Sequence, residues 1–471
     1  MKVNPHIFRA YDIRGIAQAT EKFPNIDLTE ETAKLIGKGA GTYLQKITQP
    51  HANLVVGRDN RLHSPKLQEA FIEGLLEVGC NVTNIGISPS PMLYYAVCEY
   101  GFDGGANITA SHNPKEYNGI KIVSKDAHSV CGDDLQEVLK TIENEDFADG
   151  PKGEYKEQDI SEDYIKDLAD KVSLKKPLKV VVDAGNGVAG AIAPDLLRAL
   201  GCEVTELYCE LDGNFPNHEA NPEEYENMKD LIEKVREIGA DIGLGFDGDG
   251  DRVGVVDETG HHYSADFLLM LLARDLLERQ PGAKIVFDVK VTTALIEDIK
   301  KHGGEPVMCK TGHSFIESKM KEIGAPLAGE VSGHLFFAEN YYGFDDAFLG
   351  AVKLLEILSK ADVPFSRLFD DVPKTYATPE FKAHTPDDKK FEIVRELTDY
   401  FTKNYDCITL DGVRINFTDR AWGAVRCSNT SPNLTLRFEA DTEEDLCEIQ
   451  KKMVEQLRKY PEVSLDWYKE C

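Results

Sequence analysis

The sequence has few cations for its length, and it contains no long apolar run. Its 471 residues include 53 Lys and Arg against 82 Asp and Glu, so the formal net charge is −29. A balance this acidic argues against binding to nucleic acid or to an anionic membrane surface, because both attract cationic proteins. A protein of this charge can still bind an anionic small molecule, provided that a few of its cationic side chains converge at one site.

Other absences narrow the class of protein further. No run reaches the roughly 18 apolar residues of a transmembrane helix, and the N-terminal residues lack the apolar core of a signal peptide. The ten cysteines include no C-x-x-C pair, which argues against a disulfide framework or a zinc site. We therefore expect a cytoplasmic protein whose thiols are reduced and mostly buried.

Three regions repeat the same order, in which an apolar run is followed by a helical pattern. This order is typical of α/β units with a largely parallel sheet. The pairs are 53–57 with 68–79, 178–183 with 193–200, and 283–288 with 294–302.

The last hundred or so residues differ, because two alternating strands at 414–417 and 434–439 precede an amphipathic helix over 441–459. That pattern indicates an α+β domain. We predict linkers at 145–157 and 375–390, and a further break near 258–262.

Three aspartates at alternate positions form the sharpest motif. Asp247, Asp249 and Asp251 are separated by glycines and lie between two apolar runs. Their carboxylates can converge on one hard cation such as Mg²⁺ or Ca²⁺, although an acidic hairpin turn would share the pattern. An EF-hand would also use Glu258, but its sixth loop position must be glycine and is Arg252.

A glycine motif follows the second apolar run. Gly185, Gly187 and Gly190 match G-x-G-x-x-G, the fingerprint of dinucleotide-binding proteins. The carboxylate of Asp183 would lie close to the pyrophosphate of such a ligand. We prefer a tight turn between a strand and a helix, and an NAD-dependent oxidoreductase remains an alternative.

Three polar loops carry further candidate groups. The loop TASHNP presents Ser111 as an exposed hydroxyl, which could be a nucleophile, a phosphate carrier or part of an ordinary turn. The loop GEVSGH offers donors and acceptors for sugar hydroxyls, and KTGHS lies just upstream of it. The loop RCSNTSP combines an arginine with hydroxyl and amide groups, as an anion-binding loop does.

Together with FRAYDIRG near the N-terminus, these motifs resemble the α-D-phosphohexomutase family over essentially the whole chain. The resemblance implies three related α/β domains, each a mixed sheet sandwiched by helices, and a C-terminal α+β domain. These four domains would form a heart shape around a central cleft. The predicted bounds are 1–153 with the catalytic serine loop, 154–258 with the metal loop, 259–370 with the sugar loop and 371–471 with the phosphate loop.

The resemblance also implies a role for each candidate residue. Ser111 would be the catalytic phosphoserine, and one of its phosphate oxygens would join Asp247, Asp249 and Asp251 around one Mg²⁺ per chain. Lys121 and His313 are the candidates for proton transfer, and Arg14 would line the catalytic cleft. The substrate-binding residues would be Tyr11, Arg252, Lys290, Thr311, Gly312, Glu330, Ser332, His334, Arg426, Ser428, Asn429 and Thr430.

The implied reaction interconverts hexose 1-phosphate and hexose 6-phosphate, with mannose or glucose as the sugar. A hexose 1,6-bisphosphate would be both the intermediate and the activator. The expected partners are small sugar phosphates, without nucleic acid or membrane, and the protein would be a monomer or a homodimer.

The sequence departs from the family pattern at Cys427, where proline is common, and at Val331, where methionine is common. Asn429 argues against an amino sugar, because the glucosamine-phosphate branch often has glycine there. A phosphoglucosamine mutase and a non-catalytic sugar-phosphate-binding protein remain alternatives.

Overall fold

Four β-sheets with flanking helices make up the computed structural model, which describes residues 3–428 and 431–469. The chain divides into a first unit, Met1–Asp275 with Ser332–Leu368, and a second unit, Leu276–Val331 with Phe369–Cys471. No helix among the described residues is both long and apolar enough to cross a bilayer.

The first sheet is mixed and has the strand order β1-β5-β4-β2-β3-β6. Its inner strands β2, β3 and β4 are parallel to one another, whereas β5 runs antiparallel to both of its neighbours, β4 and β1. Helices cover the sheet because their apolar faces share one buried cluster with it. The elements are β1 Ile13–Ile16, α1 Glu30–Ile47, β2 Asn53–Arg58, α2 Ser64–Glu77, β3 Asn81–Ile87, α3 Ser90–Glu99, β4 Gly104–Ile108, β5 Tyr117–Ser124, α4 Asp133–Glu143 and β6 Tyr155–Glu157.

The second sheet is also mixed, with the order β11-β10-β9-β7-β8. Strands β8, β7 and β9 are parallel, and the hairpin from β9 to β10 reverses the direction of the chain. That hairpin carries the three aspartates. The elements are α5 Ser161–Asp170, β7 Lys179–Asp183, α6 Ala193–Ala199, β8 Glu203–Leu207, α7 Lys229–Ile238, β9 Ile242–Phe246, β10 Val253–Asp257 and β11 His262–Tyr263.

The third region contributes to both units. In the second unit, β12 pairs in parallel with β13 and with β14. The sugar-loop motif begins where β14 ends. The elements are α8 Ala265–Arg279, β12 Lys284–Asp288, α9 Thr293–Lys301, β13 Glu305–Cys309, α10 His313–Ile323, β14 Leu327–Gly329, β15 Leu335–Phe337 and α11 Ala347–Lys360.

The fourth sheet is antiparallel and has the order β16-β21-β20-β19-β18, with β17 also paired to β21. Thr442 caps α13 by accepting a hydrogen bond from the backbone N–H of Asp445 at 3.1 Å. The elements are β16 Tyr376–Ala377, β17 Phe381–His384, α12 Asp387–Asn404, β18 Asp406–Ile408, β19 Val413–Asn416, β20 Trp422–Cys427, β21 Asn433–Ala440 and α13 Glu443–Leu457.

The predicted strands and helices are confirmed with shifts of a few residues at their ends, but the predicted linkers are not plain connections. The segment 145–157 ends in β6, 375–390 contains β16, β17 and the start of α12, and 258–262 reaches β11. Short polar edge strands escaped detection because backbone hydrogen bonds hold them, without an apolar pattern.

The prediction of reduced thiols holds for eight described cysteines and is wrong for Cys447, which is disulfide-bonded. Spacing alone carried no sign of that bond. Cys471 lies outside the described residues.

Candidate functional site

Ser111 lies in the loop that follows β4, and its side chain faces Asp247 in the same unit. The hydroxyl donates to Oδ2 of Asp247 at 2.8 Å, and its own oxygen Oγ lies 3.1 Å from Nδ1 of His112. Only 2% of the residue is exposed. The prediction that Ser111 presents an exposed hydroxyl is therefore wrong. The backbone is left-handed at Ser111, with φ of 52°, which turns the hydroxyl away from solvent and toward the acidic hairpin.

The three predicted metal ligands form a buried cluster at the β9–β10 turn. Asp247, Asp249 and Asp251 are each at most 1% exposed, and one carboxylate oxygen of each lies within 4.8 Å of the others. The flanking strands exclude an EF-hand, whose loop joins two helices. The acidic hairpin is therefore present, and its carboxylates are gathered at one point.

The donor set of this cluster fits a divalent cation. The Oδ1 atoms of Asp249 and Asp251 are buried and have no hydrogen-bond partner among the described residues. Burial and the two neighbouring carboxylates raise the pKa of Asp247 well above its usual range. A hard cation such as Mg²⁺ would satisfy the unpartnered oxygens and relieve this repulsion.

Lys121 extends from β5 into the same cluster. Its Nζ donates to Oδ2 of Asp249 at 2.6 Å and to Oδ2 of Asp251 at 2.5 Å. Burial opposes the charge of Lys121, but the two carboxylates hold its pKa well above the ordinary value. The lysine is therefore charged at neutral pH and offsets part of the negative charge of the hairpin.

Arg14 approaches the serine loop from the N-terminal strand β1. Its Nε pairs with Asp12 at 2.8 Å, and its NH1 donates to Oδ1 of Asn113 at 2.7 Å. Tyr11 lies half-buried in the segment just before. The structure thus brings Arg14 to the loop that carries Ser111.

A chain of side chains continues from the hairpin to the segment around β15. Nε of Arg252 donates to Nε2 of His334 at 2.9 Å, and Nδ1 of His334 lies 2.7 Å from Oδ2 of Asp345. Because Nε2 accepts, Nδ1 carries the imidazole proton and donates it to Asp345. Ser332 is half-buried in the same segment.

The second unit gathers another set of predicted residues. Glu330 accepts from the backbone N–H of Gly312 at 2.5 Å, and the hydroxyl of Thr311 lies 3.3 Å from Oδ2 of Asp288. His313 is the first residue of α10. The loop after β13 therefore lies beside the sugar-loop glutamate.

Lys290 lies in the same unit, directly after β12. Its Nζ pairs with Glu380 and lies 3.6 Å from Oδ2 of Asp288. The backbone oxygen of Lys290 accepts from Arg437 at 2.9 Å. Lys290 is only 4% exposed, and its charge is held by the buried Asp288 and the half-buried Glu380.

The phosphate-loop motif is held by two charged partners that the sequence did not reveal. Nε of Arg426 donates to Oδ2 of Asp411 at 2.6 Å, and the same oxygen accepts from the N–H of Thr311 at 3.1 Å. Nζ of Lys390 donates to the backbone oxygens of Ser428 and Ser431 at 2.7 and 3.0 Å. Asn429 and Thr430 lie outside the described residues.

Sequence reasoning missed Asp345, Asp411 and Lys390, and it also missed Arg61, whose guanidinium contacts the serine loop. Arg61 had a usable signal, since it follows an apolar strand in the charged run RDNR. The others lie in ordinary polar segments, so only their contacts distinguish them.

The glycine motif packs as a tight turn. A side chain at Gly190 would place its Cβ 2.1 Å from the backbone oxygen of Cys209. A Cβ at Gly187 would lie 3.1 Å from the backbone of Gly248, in the turn between β9 and β10. Gly185 has φ of 50°, which glycine adopts without strain. Protein backbone therefore occupies the space that a pyrophosphate would need, and an NAD-dependent oxidoreductase is not supported.

Four family models match the chain in order. They are described as phosphoglucomutase/phosphomannomutase alpha/beta/alpha domain I at residues 5–149, domain II at 162–260, domain III at 264–376, and the C-terminal domain at 380–456. These matches cover most of the chain.

Individual relatives agree with the family models. A Pseudomonas aeruginosa protein named phosphomannomutase/phosphoglucomutase is 48% identical over 453 residues, which are 96% of this chain and 95% of the relative. A phosphoglucomutase of Neisseria gonorrhoeae is 44% identical over 450 residues, 95% of each chain.

Among solved structures, the X-ray structure of a phosphoglucomutase/phosphomannomutase family protein from Burkholderia thailandensis has a TM-score of 0.89 at 39% identity. The match covers 98% of this chain and 99% of the Burkholderia chain. With this likeness over nearly the full length, the chain belongs to the phosphoglucomutase/phosphomannomutase family and is a phosphohexomutase.

Proposed function

We propose that the protein interconverts hexose 1-phosphate and hexose 6-phosphate through a phosphorylated Ser111 and a hexose 1,6-bisphosphate. The observation that carries the proposal is the hydroxyl of Ser111, held 2.8 Å from Asp247 in a buried cluster that also contains Lys121. The names of relatives that are 48% and 44% identical favour mannose and glucose as the sugars.

In the proposed reaction, the bond from Ser111 Oγ to phosphorus breaks, and a bond from the free sugar hydroxyl to phosphorus forms. The hydroxyl loses its proton to a base, and an acid returns a proton to Oγ. Lys121 is our candidate acid in this direction, because its carboxylate partners keep it protonated. His313 is the candidate for the other proton, and the roles reverse when the bisphosphate returns its second phosphoryl group.

Asp247, Asp249 and Asp251, with an oxygen of phosphorylated Ser111, would hold one Mg²⁺ per chain. When bound, the ion supplies positive charge that offsets the charge of the transferring phosphoryl group. Arg14 would hold the serine loop through Asn113, to which it donates at 2.7 Å. Alignment and charge neutralisation are the main requirements of such a transfer.

The substrate must bind in two orientations, so the sugar and the idle phosphate need separate groups. We assign the sugar hydroxyls to Glu330 and Ser332, and the idle phosphate to Arg426 with Ser428, Asn429 and Thr430. Arg426 is 6% exposed and already oriented by Asp411, as a phosphate-binding arginine should be. The remaining substrate contacts would come from Tyr11, Arg252, Lys290, Thr311, Gly312 and His334.

The four domain ranges predicted from the sequence belong to the same proposal, as do a cytoplasmic location and a monomeric or homodimeric state. Limited proteolysis tests these ranges: the first cuts should fall near the bounds at about residues 153 and 370, where Lys152 and Asp370 are exposed, and not at 258, which lies in the tight turn between β10 and β11.

A coupled mutase assay tests the reaction. Mannose 1-phosphate, glucose 1-phosphate and glucosamine 1-phosphate are compared with Mg²⁺ and a trace of glucose 1,6-bisphosphate. We expect turnover of the first two, its loss in EDTA, and its loss in Ser111→Ala. The control Ser359→Ala removes a buried hydroxyl at the end of α11 and should keep full activity.

Each other outcome has a definite meaning. Faster turnover of glucosamine 1-phosphate would make the protein a phosphoglucosamine mutase. Full activity of Ser111→Ala would refute the phosphoserine mechanism. No turnover of any of the three sugars would contradict the proposed substrates.

A further inference from the structure

The guanidinium of Arg61 lies directly beneath the serine loop, and every one of its N–H groups has an acceptor. Arg61 is 1% exposed, and its Nε donates to Oδ2 of Asp59 at 3.0 Å. The other four N–H groups donate to backbone oxygens of the loop. These acceptors are Ser111 at 2.8 Å, Asn113 at 2.7 Å, Pro114 at 2.7 Å and Tyr117 at 3.2 Å.

Those bonds act on a backbone that needs support. Ser111 has φ of 52°, a conformation that residues with a side chain seldom adopt. The carbonyl of Ser111 itself is one of the acceptors. Arg61 therefore stabilises the conformation that directs the hydroxyl of Ser111 at Asp247.

Contacts outside the serine loop also hold Arg61 in place. Asp59 accepts from the backbone N–H of Arg61 at 3.0 Å and also from the hydroxyl of Ser64. The ring of Phe215 lies 5.2 Å from the guanidinium carbon. Asn118, in the strand after the loop, donates to Ser64 at 2.8 Å. The arginine is thus a fixed point and not a mobile side chain that happens to reach the loop.

We propose that Arg61 is a positioning residue for phosphoryl transfer at Ser111. All five of its N–H groups are occupied by Asp59 and the loop, so none is left to bind a phosphoryl oxygen. It acts by fixing the backbone from Ser111 to Tyr117, so that Oγ keeps its alignment in the free and the phosphorylated enzyme. This inference rests on the proposed function.

Arginine suits this task in a way that lysine does not. Its planar fork presents five donors in fixed directions, whereas an ammonium presents three on a flexible stem. Arg61→Lys therefore keeps the positive charge and loses part of the hydrogen-bond pattern. It separates the positioning of Ser111 from the mere presence of a buried cation.

The test compares the kinetics of Arg61→Lys with those of the wild-type protein. We expect kcat to fall about 10- to 100-fold, the range that follows from a displacement of about 1 Å at a reacting atom. KM for glucose 1-phosphate should change less than about threefold, because the loop positions the transferred group and not the sugar. Phosphorylation of Ser111 by glucose 1,6-bisphosphate, followed by mass spectrometry, should slow by the same factor as kcat.

A matched control separates positioning from general destabilisation. Val138→Ala removes buried side-chain volume from α4 in the same core and does not alter the serine loop. At a temperature where circular dichroism shows both variants folded, Val138→Ala should keep wild-type kcat. An equal fall of kcat in both variants would overturn the inference.

Asp59→Asn provides a second variant in case Arg61→Lys does not fold. It keeps all donors of Arg61 but removes the charge that anchors Nε, so we expect a smaller fall of kcat at unchanged KM. Unchanged kcat in every folded variant would overturn the inference alone, while the wild type stays active. A wild type that takes up no phosphate at Ser111 would overturn the proposed function and this inference together.

Discussion

Replacing Lys121 by methionine should strongly destabilise the protein when no divalent metal is present. The ammonium of Lys121 is 2.6 and 2.5 Å from two carboxylates, those of Asp249 and Asp251, in a site where all three side chains are at most 5% exposed. Methionine keeps most of the side-chain volume and removes only the charge and its hydrogen bonds. The two carboxylates would then be buried beside Asp247 without their cation.

Breaking a buried ion pair from one side costs about 3–5 kcal/mol, because the remaining charge stays buried without compensation. We expect Lys121→Met to lose free energy of unfolding in that range when the protein is kept in EDTA. A divalent cation can take over the lost positive charge. At a Mg²⁺ concentration about a hundredfold above its dissociation constant, binding stabilises a protein by about 3 kcal/mol, and the gain should be larger in the variant than in the wild type.

Urea unfolding followed by circular dichroism, with EDTA and then with MgCl₂, measures both effects. The control is Lys140→Met, which breaks an exposed pair with Glu137 on α4. Because solvent screens that pair, the control should unfold at nearly the wild-type urea concentration. If Lys121→Met in EDTA unfolds with the control, the ammonium does not offset the charge of the aspartates, and the reasoning is refuted.

Further predictions concern positions outside this cluster. Burial lowers the pKa of His262 to about 4, so the stability that its neutral form contributes is complete above about pH 6.5 and is lost as the pH falls toward 4. As the pH falls over that range, the free energy of unfolding of His262→Gln should therefore decrease by up to about 3 kcal/mol less than that of the wild type, as measured by urea unfolding. Gly190→Ala would place its Cβ 2.1 Å from a backbone oxygen and should cost about 1–3 kcal/mol of stability, whereas Gly150→Ala, with no neighbour nearer than 3.8 Å, should be neutral. Asp411→Asn should leave Arg426 less firmly oriented. KM for glucose 1-phosphate should then rise about tenfold at unchanged kcat, which corresponds to a loss of about 1.4 kcal/mol of binding free energy. An unchanged KM would contradict the role of Asp411.

The local chemistry of the protein could be predicted from its sequence. The strand-helix cycles follow from the period of apolar residues, which depends on neighbours a few positions apart. Asp247, Asp249 and Asp251 could be recognised as one site because a turn with two glycines between them leaves their carboxylates close together. The roles implied for Ser111 and Glu330 came from the order of whole motifs along the chain.

Tertiary structure decided which charges meet. Lys121 and Asp249 are 128 residues apart in sequence, and no spacing rule relates them. Arg61 contacts a loop some fifty residues away, and Asp411 lies between Thr311 and Arg426. A buried charge takes as its partner whatever the packing of strands and helices brings within hydrogen-bond distance, so these pairs exist only once the sheets have formed.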